Sequence, residues 1–282
     1  MSIRSVLKRT GSACIRAGSY LIPGSILFYC LVEVRRADNF LRRHGSPRLM
    51  RKAIDHFYYS LRPALIETRL DGLRFHMRLN DPFHYDLVLG EHERDIQNWL
   101  RENVKEGMVV IDVGANVGSY ALSLARLVGP TGRVVAIEAD PDIAALLVAN
   151  MRENNLSQAT VVQAAAYRQT GTVRLGRARA STSYSGLYNQ GAAEWVDVPA
   201  FTLDAVAQKE GLTRLDLVKI DAEGAEDDVI DGMSDLLVTL RPEILVELHE
   251  WHGPTAKIPS KLESAGYRIE MLSSIHALAR PR

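Results

Sequence analysis

Cysteine is scarce in this chain: Cys14 and Cys30 are the only two among 282 residues. Two cysteines cannot build a disulfide framework, so a reducing compartment is the default expectation. A membrane-spanning run is lacking as well. The uncharged stretch Ala17–Val32 has sixteen residues, short of the ~20 that a spanning helix needs, and Pro23-Gly24 interrupts it. Net charge is absent, with 34 Lys+Arg against 34 Asp+Glu, which argues against a general nucleic-acid binder. Internal repeats are missing. What is present is ordinary globular composition, 46% hydrophobic and 24% charged. That excludes collagen, a long coiled coil and wholesale disorder. The length suits one large domain or two small ones.

The zero net charge hides an asymmetry. Residues 1–52 hold eleven Lys/Arg and only two acids, Glu33 and Asp38, so this arm carries +9 and the remainder −9. Basic residues flank the apolar stretch on both sides. A basic start followed by an apolar run outlines a signal peptide, but Arg35-Arg36 stands where a small-x-small cleavage site would be needed. The expectation is a helical arm over residues 1–60 that packs on protein or touches an anionic membrane surface. The main domain is expected over residues 61–282, in the cytoplasm.

Beyond the arm the pattern changes. Leu65–Leu70 and Leu73–Leu79 are split by Asp71-Gly72, which predicts a hairpin. A helix is expected over Glu91–Asn103. Apolar strands then alternate with amphipathic helices: strands at Met108–Val113, Arg133–Glu138, Thr160–Ala164, Leu215–Ile220 and Ile244–Leu248, and helices at Val117–Val128, Asp142–Asn154, Glu226–Leu240 and Ala256–Ala265. Closing strands are expected at Tyr267–Met271 and His276–Ala279. This alternation predicts an α/β fold of the Rossmann-like kind, a mostly parallel sheet covered by helices on both faces. Between Ala165 and Phe201 it breaks down into Gly, Ser, Arg and Tyr, an insertion read as a small hairpin plus a loop.

Three strand ends carry the chemistry. After the first core strand comes Asp112-Val113-Gly114-Ala115-Asn116-Val117-Gly118-Ser119. Small residues there let a ligand approach the backbone, and a helix N-terminus offers N–H groups. The spacing is G-x-x-x-G, not the G-x-G-x-x-G of a dinucleotide fold. A carboxylate two residues before Gly114 repels a pyrophosphate and attracts a cationic ammonium, which favours S-adenosylmethionine over a nicotinamide nucleotide. The second strand ends in Glu138, placed to accept both hydroxyls of a ribose. The segment Lys219–Glu226 sets three acids and a lysine at a third strand end and its turn. Packing alone accounts for Lys219 as a snorkelling residue and for Glu226 as a helix N-terminal acid; it accounts poorly for Asp221.

Together these segments resemble the FkbM family of S-adenosylmethionine-dependent methyltransferases. The residues that carry the resemblance are Val110–Tyr120, Ala136–Pro141, Thr202-Leu203-Asp204, Lys219–Glu226 and Arg241–Leu248, with Gly90–Glu93 similar to the family's glycine–acid element. It covers about residues 65–272 and says nothing of the arm. It implies a Rossmann-like methyltransferase acting on a hydroxyl of a sugar, glycolipid or secondary metabolite. The cofactor-binding set is then Glu93, Asp112, Gly114, Asn116, Gly118, Ser119, Glu138 and Ala165.

An alcohol is a poor nucleophile at neutral pH, so a base is needed. Asp221 is the first candidate, Glu223 the second and His249 the third. No metal is assigned, although Asp221 with Glu247 or His249 is an alternative ligand set for a divalent cation. The competing functions are a nicotinamide-dependent oxidoreductase and a non-catalytic, membrane-associated binding module. The partner is a small-molecule or glycan acceptor, with no nucleic acid. Residues Ala165–Phe201 are expected to wall the acceptor side, with Arg174, Arg177, Arg179, Tyr184, Tyr188 and Trp195 suited to a hydroxyl-rich or anionic molecule.

Overall fold

The computed structural model describes residues 14–17, 20–43, 65–78, 81–90, 93–178, 185–188, 191–249 and 257–282. The chain divides into two compact units, Met1–Arg94 and Asp95–Arg282.

In the first unit, β1 (Cys14–Ala17) and β2 (Tyr20–Pro23) pair antiparallel, and α1 (Gly24–Arg43) follows at once. Pro23-Gly24 is therefore a strand-to-helix junction, and the apolar stretch expected to be helical begins as a hairpin. The helical continuation expected to residue 60 lies outside the described residues. Then β3 (Leu65–Leu70) and β4 (Leu73–Arg78) form the hairpin that Asp71-Gly72 predicts. A helix that the sequence pattern did not reveal, α2 (Pro82–Leu89), is capped by the Asp81 carboxylate on Phe83 N and closed by Gly90 in a left-handed conformation. Arg35 joins α1 to α2 through Asp86, Nη2 to Oδ2 at 2.6 Å. No described helix is long and apolar enough to cross a membrane.

Helix α3 (Arg94–Asn103) lies in the second unit from its second residue on, and that unit is built on β5 (Val109–Val113), α4 (Ala121–Val128), β6 (Arg133–Glu138), α5 (Pro141–Glu153) and β7 (Ala159–Gln163). The chain then makes β8 (Ala165–Ala166), β9 (Gly171–Arg177) and β10 (Glu194–Phe201) before α6 (Leu203–Lys209). It returns through β11 (Leu217–Ile220), α7 (Glu226–Asp231), α8 (Ser234–Thr239), β12 (Glu243–Glu247), α9 (Ile258–Ser264), β13 (Tyr267–Met271) and β14 (His276–Pro281). The main sheet runs β13-β14-β12-β11-β5-β6-β7. Its core pairings from β12 to β7 are parallel, and β14 runs antiparallel to both its neighbours. The chain winds outward from β5 to β7, then resumes at β11 on the other side of β5. The switch point thus falls between β5 and β11, where open α/β sheets form their ligand crevice.

Both faces are covered. Val110, Val134, Leu217, Leu245 and Leu278 pack with Ile96 and Leu100 of α3 and Leu124 of α4. Ile111, Val135, Val218 and Ile244 face the other way, onto residues of α6, α7, α8 and α9. The single helix expected over Glu226–Leu240 is two. It breaks at Gly232, where a Cβ would lie 2.2 Å from the Tyr167 carbonyl oxygen. The Asp204 carboxylate restarts the helix by accepting Asp235 N and Leu236 N. The insertion folds as a three-stranded sheet, β8-β10-β9.

Candidate active site

Side chains alternate along a strand, so one rule places most of the site. On the α3/α4 face of the sheet, apolar residues give way to charged ones toward the carboxyl ends: Val110 to Asp112, Leu217 to Lys219 and Asp221, Leu245 to Glu247. Register brings them together. Lys219 is opposite Asp112 on one side and Leu245 on the other, and Glu247 is opposite His276 of β14.

Asp112 is wholly buried. Neither of its carboxylate oxygens accepts a well-formed hydrogen bond among the described residues, and Lys219 Nζ stands 3.9 Å away. Burial pushes the Asp112 carboxyl up to about 6; Lys219 and, weakly, the Ala121 backbone N–H pull the other way. Lys219 does not snorkel. It is buried, with Nζ 3.1 Å from Asp221 Oδ2 and 4.5 Å from the Tyr120 ring centroid.

The glycine turn crosses the switch point. Gly114 has φ +75°, and a Cβ there would lie 1.8 Å from the Asp221 carbonyl oxygen. Only glycine lets these two strand ends approach so closely. The N–H groups of the first part of the turn, expected to face a ligand, are taken up by β6 and by the turn itself. Gly114 N and Ala115 N donate to the Ile137 carbonyl, Gly118 N donates to Ala115, and Asn116 N donates to Glu138 Oε2. Asn116 holds φ +51°, and α4 begins at Ala121, four residues later than expected. Ser119 lies half-buried in this turn.

Glu138 is half-buried and also accepts Asp140 N at 2.8 Å. Burial pushes its carboxyl up to about 7 despite the Asp140 and Asn116 N–H groups that favour the anion. Ala164 N donates to the Glu138 carbonyl, which sets buried Ala165 close by in sequence, at the start of β8. Glu93 belongs to the first unit and holds φ +44° immediately before α3.

The second half of the site gathers around His249, which is buried just past β12. Its Nδ1 is 2.9 Å from Glu226 Oε1, and its Nε2 is 3.4 Å from Glu247 Oε1 and 3.7 Å from Glu223 Oε2. Burial works against the imidazolium. The Glu226 hydrogen bond and the charges of Glu247, Asp221 and Glu223 outweigh it and push the ring up to about 10. Burial, then the Asp221 charge, pushes the Glu223 carboxyl up to about 8. Donor atoms of Asp221, Glu247 and His249 all lie within 4.8 Å of one another. All three candidate bases are thus in one cluster. The sequence reading undervalued two further members: Glu226, which is not a solvated helix-end acid but fully buried, and His276, whose Nε2 is 3.7 Å from Glu247 Oε2.

The insertion reaches this cluster. A Cβ on Gly186 would lie 2.8 Å from the Glu223 carbonyl oxygen, and Gly186 pairs with Gly176 of β9. Tyr188 donates to Asp228 Oδ2 at 2.5 Å, and Arg168 pairs with the other oxygen of the same carboxylate. Arg177 is committed to Asp140, Nη2 to Oδ1 at 2.9 Å, and Arg174 lies over the Trp195 ring. Arg179 and Tyr184 lie outside the described residues.

A sheet of this order, with a glycine turn after its first core strand and acids closing the first, second and fourth, defines a Rossmann-like methyltransferase. The comparisons agree. Residues 112–269 match the model of the methyltransferase FkbM domain. The chain belongs to the FkbM family of S-adenosylmethionine-dependent methyltransferases. Methyltransferase sdnD of Sordaria araneosa is 27% identical over 240 residues, 73% of this chain and 90% of its own length. The 31-O-demethyl-FK506 methyltransferase FkbM of Streptomyces tacrolimicus is 26% identical over 203 residues, 61% of this chain and 77% of its own. The hexuronic acid methyltransferase AglP of Haloferax volcanii is 23% identical over 162 residues, 57% of this chain and 64% of its own.

Proposed function

We propose that the protein transfers a methyl group to a hydroxyl oxygen of a sugar, glycolipid or secondary metabolite. The observation that carries this reading is the carboxylate–imidazole cluster of Asp221, Glu223, Glu247 and His249 beside the glycine turn, a proton-accepting group of the kind an alcohol needs. The names of two relatives support it in part: one names a 31-O-demethyl-FK506 acceptor, hence an oxygen, and the other a hexuronic acid, hence a sugar.

The residues present fit the cofactor. Asp112 is a buried carboxylate whose oxygens lack well-formed hydrogen bonds, suited to a cationic group, and Gly114 lets the turn close up against the Asp221 backbone at the switch point. Asp112, Gly114, Asn116, Gly118 and Ser119 would hold the amino-acid end, Glu138 the ribose, and Ala165 the remainder. When bound, S-adenosylmethionine supplies an electrophilic methyl group on a positive sulfur. The chain's own residues do the rest. Asp221, oriented by Lys219, accepts the proton of the acceptor hydroxyl, and the imidazolium of His249 holds Glu223 and Glu247 in place around it. The 185–188 segment, seated on the Glu223 turn, forms the acceptor-side wall. The +9 charge of residues 1–52 supports contact of the arm with an anionic membrane surface on the cytoplasmic side.

The test is incubation of the purified protein with methyl-13C-labelled S-adenosylmethionine and a panel of uronic acids, glycosides and polyketide alcohols. The expected product carries the label as a methyl ether. Label in an ester, an amine or a thioether refutes the reading.

A further inference from the structure

Glu226 opens α7, the place where an acid is ordinarily explained by the helix dipole. The geometry does not support that explanation. The helix is six residues long, and the Glu226 side chain is wholly buried rather than solvated at a helix end. Its Oε1 faces inward and meets three donors: Ala222 N at 3.0 Å, Gly224 N at 3.0 Å and His249 Nδ1 at 2.9 Å. The first two belong to the turn after β11. The third belongs to the segment after β12. One carboxylate oxygen therefore joins the two strand ends that carry the candidate bases.

Each bond has a consequence. The turn it grips holds Glu223 at φ +48° and Gly224 at φ +95°. The left-handed conformation is disfavoured for a residue with a side chain, and two hydrogen bonds flanking Glu223 hold it there. The third bond settles the imidazole. A carboxylate only accepts, so Nδ1 carries the proton, and Nε2 is left facing Glu247 Oε1 and Glu223 Oε2. Asp221 completes the circle, already held by Lys219 at 3.1 Å.

We propose that Glu226 is a positioning residue for methyl transfer, a buried carboxylate that fixes the proton and ring orientation of His249 and thereby the arrangement of Glu223 and Glu247 around Asp221. The inference rests on the O-methyltransferase reading, but its physical core concerns one histidine and is testable without any acceptor. Glu226 does not touch the reacting atoms. It acts through His249, which it holds as an imidazolium beside Asp221 and Glu247, with the Glu223 carboxyl facing the same ring nitrogen as Glu247. The hydroxyl proton then passes to Asp221 and not to the ring. The oxygen's freed electron pair is available for the new carbon–oxygen bond, and the electrons of the broken carbon–sulfur bond leave with the sulfur.

The experiment compares the full-length wild type with Glu226→Gln. Glutamine keeps an oxygen for the Ala222 and Gly224 amides and removes the charge under His249. Expected are a melting temperature and an S-adenosylmethionine Kd close to wild type, an acceptor KM changed little, and kcat lowered roughly 10- to 100-fold. Nitrogen-15 NMR of the imidazole, with the resonance assigned through His249→Asn, supplies the arm that needs no acceptor. At pH 8 the wild type shows both ring nitrogens of His249 protonated, and Glu226→Gln shows a neutral ring. An unchanged spectrum in the variant overturns the proposal, as does a kcat loss matched by an equal loss of donor affinity and melting temperature, which marks a structural role only. If the variant does not fold, the wild-type spectrum decides: an unprotonated Nδ1 refutes the proposal, and a protonated Nδ1 with loss of kcat but not donor binding in His249→Asn upholds it. If no acceptor is ever methylated on oxygen, the O-methylation reading fails while the NMR comparison still judges Glu226.

Discussion

Replacing Asp112 with Asn should make the protein more stable and less able to bind its cofactor. Asp112 has no exposed surface, and burial holds its carboxyl at about 6 against an ordinary 3.8. At 1.36 kcal/mol per unit, that difference is about 3 kcal/mol of strain in the ionised folded protein. The sign follows from proton binding. Below pH 3.8 both folded and unfolded chains are protonated and no penalty exists. Between about pH 4 and 6 the unfolded chain loses its proton while the folded chain keeps it, so wild-type stability falls as pH rises. Above about 6 the full penalty is present. Asparagine never pays it. The value of about 6 already contains the attraction of Lys219, 3.9 Å away, so nothing more is subtracted for the loss of that partner. The net gain is about 3 kcal/mol at pH 8, or about 6–12 °C in melting temperature for a chain of this size. Scanning calorimetry at pH 4 and pH 8, with calorimetric titration of S-adenosylmethionine, measures both effects. The gain should be near zero at pH 4, and affinity should fall on the order of 10- to 100-fold at pH 8. A variant less stable than wild type at pH 8, or a gain independent of pH, refutes the reasoning.

Glu138→Gln should weaken donor binding by roughly 1.5–3 kcal/mol. Because the Glu138 carboxyl sits at about 7 and the ionised form accepts the ribose hydroxyls, wild-type affinity should rise with pH through that value; titrations from pH 6 to 8 should show the rise in wild type and not in the variant. Gly114→Ala sets a Cβ 1.8 Å from a backbone oxygen at φ +75°, so donor binding should vanish in a titration even where circular dichroism shows folded protein. Tyr188→Phe removes one hydrogen bond to Asp228; acceptor KM should rise while donor Kd stays put, and a change in donor Kd alone would show that the segment serves the cofactor instead. Replacing Lys8, Arg9 and Arg16 with Gln should lower co-sedimentation with anionic vesicles in a salt-dependent way. This is a cleaner change than deleting the arm, because Arg35 of α1 pairs with Asp86.

The parts of this protein that were legible in the sequence are those set by local periodicity. A buried parallel strand reads as a continuous apolar run, and Val109–Val113 through Glu243–Glu247 fall where that pattern puts them. The acids ending those strands were legible because a charge after four apolar residues has no packing reason to be there. What stayed hidden depends on distant chain. The break at Gly232 answers to the Tyr167 carbonyl, more than sixty residues away in sequence. The turn amides looked available because their acceptor, the Ile137 carbonyl, lies on the next strand. Glu226 looked like a dipole acid because its partner His249 is on another strand end. Lys219 looked exposed because only the register with β5 sets it opposite Asp112. The helix Pro82–Leu89 was missed because its eight residues are apolar nearly all round and show no helical stripe.

Calorimetric titration of the purified wild-type protein with S-adenosylmethionine, S-adenosylhomocysteine and NADH tests the central claim most directly, that the crevice between β5 and β11 is a sulfonium-nucleoside site. The account predicts saturable one-to-one binding of the first two, no heat from NADH, binding weakened on the order of 10- to 100-fold in Asp112→Asn, and its loss in Gly114→Ala. Binding of NADH, or S-adenosylmethionine affinity unchanged in folded forms of both variants, would contradict it.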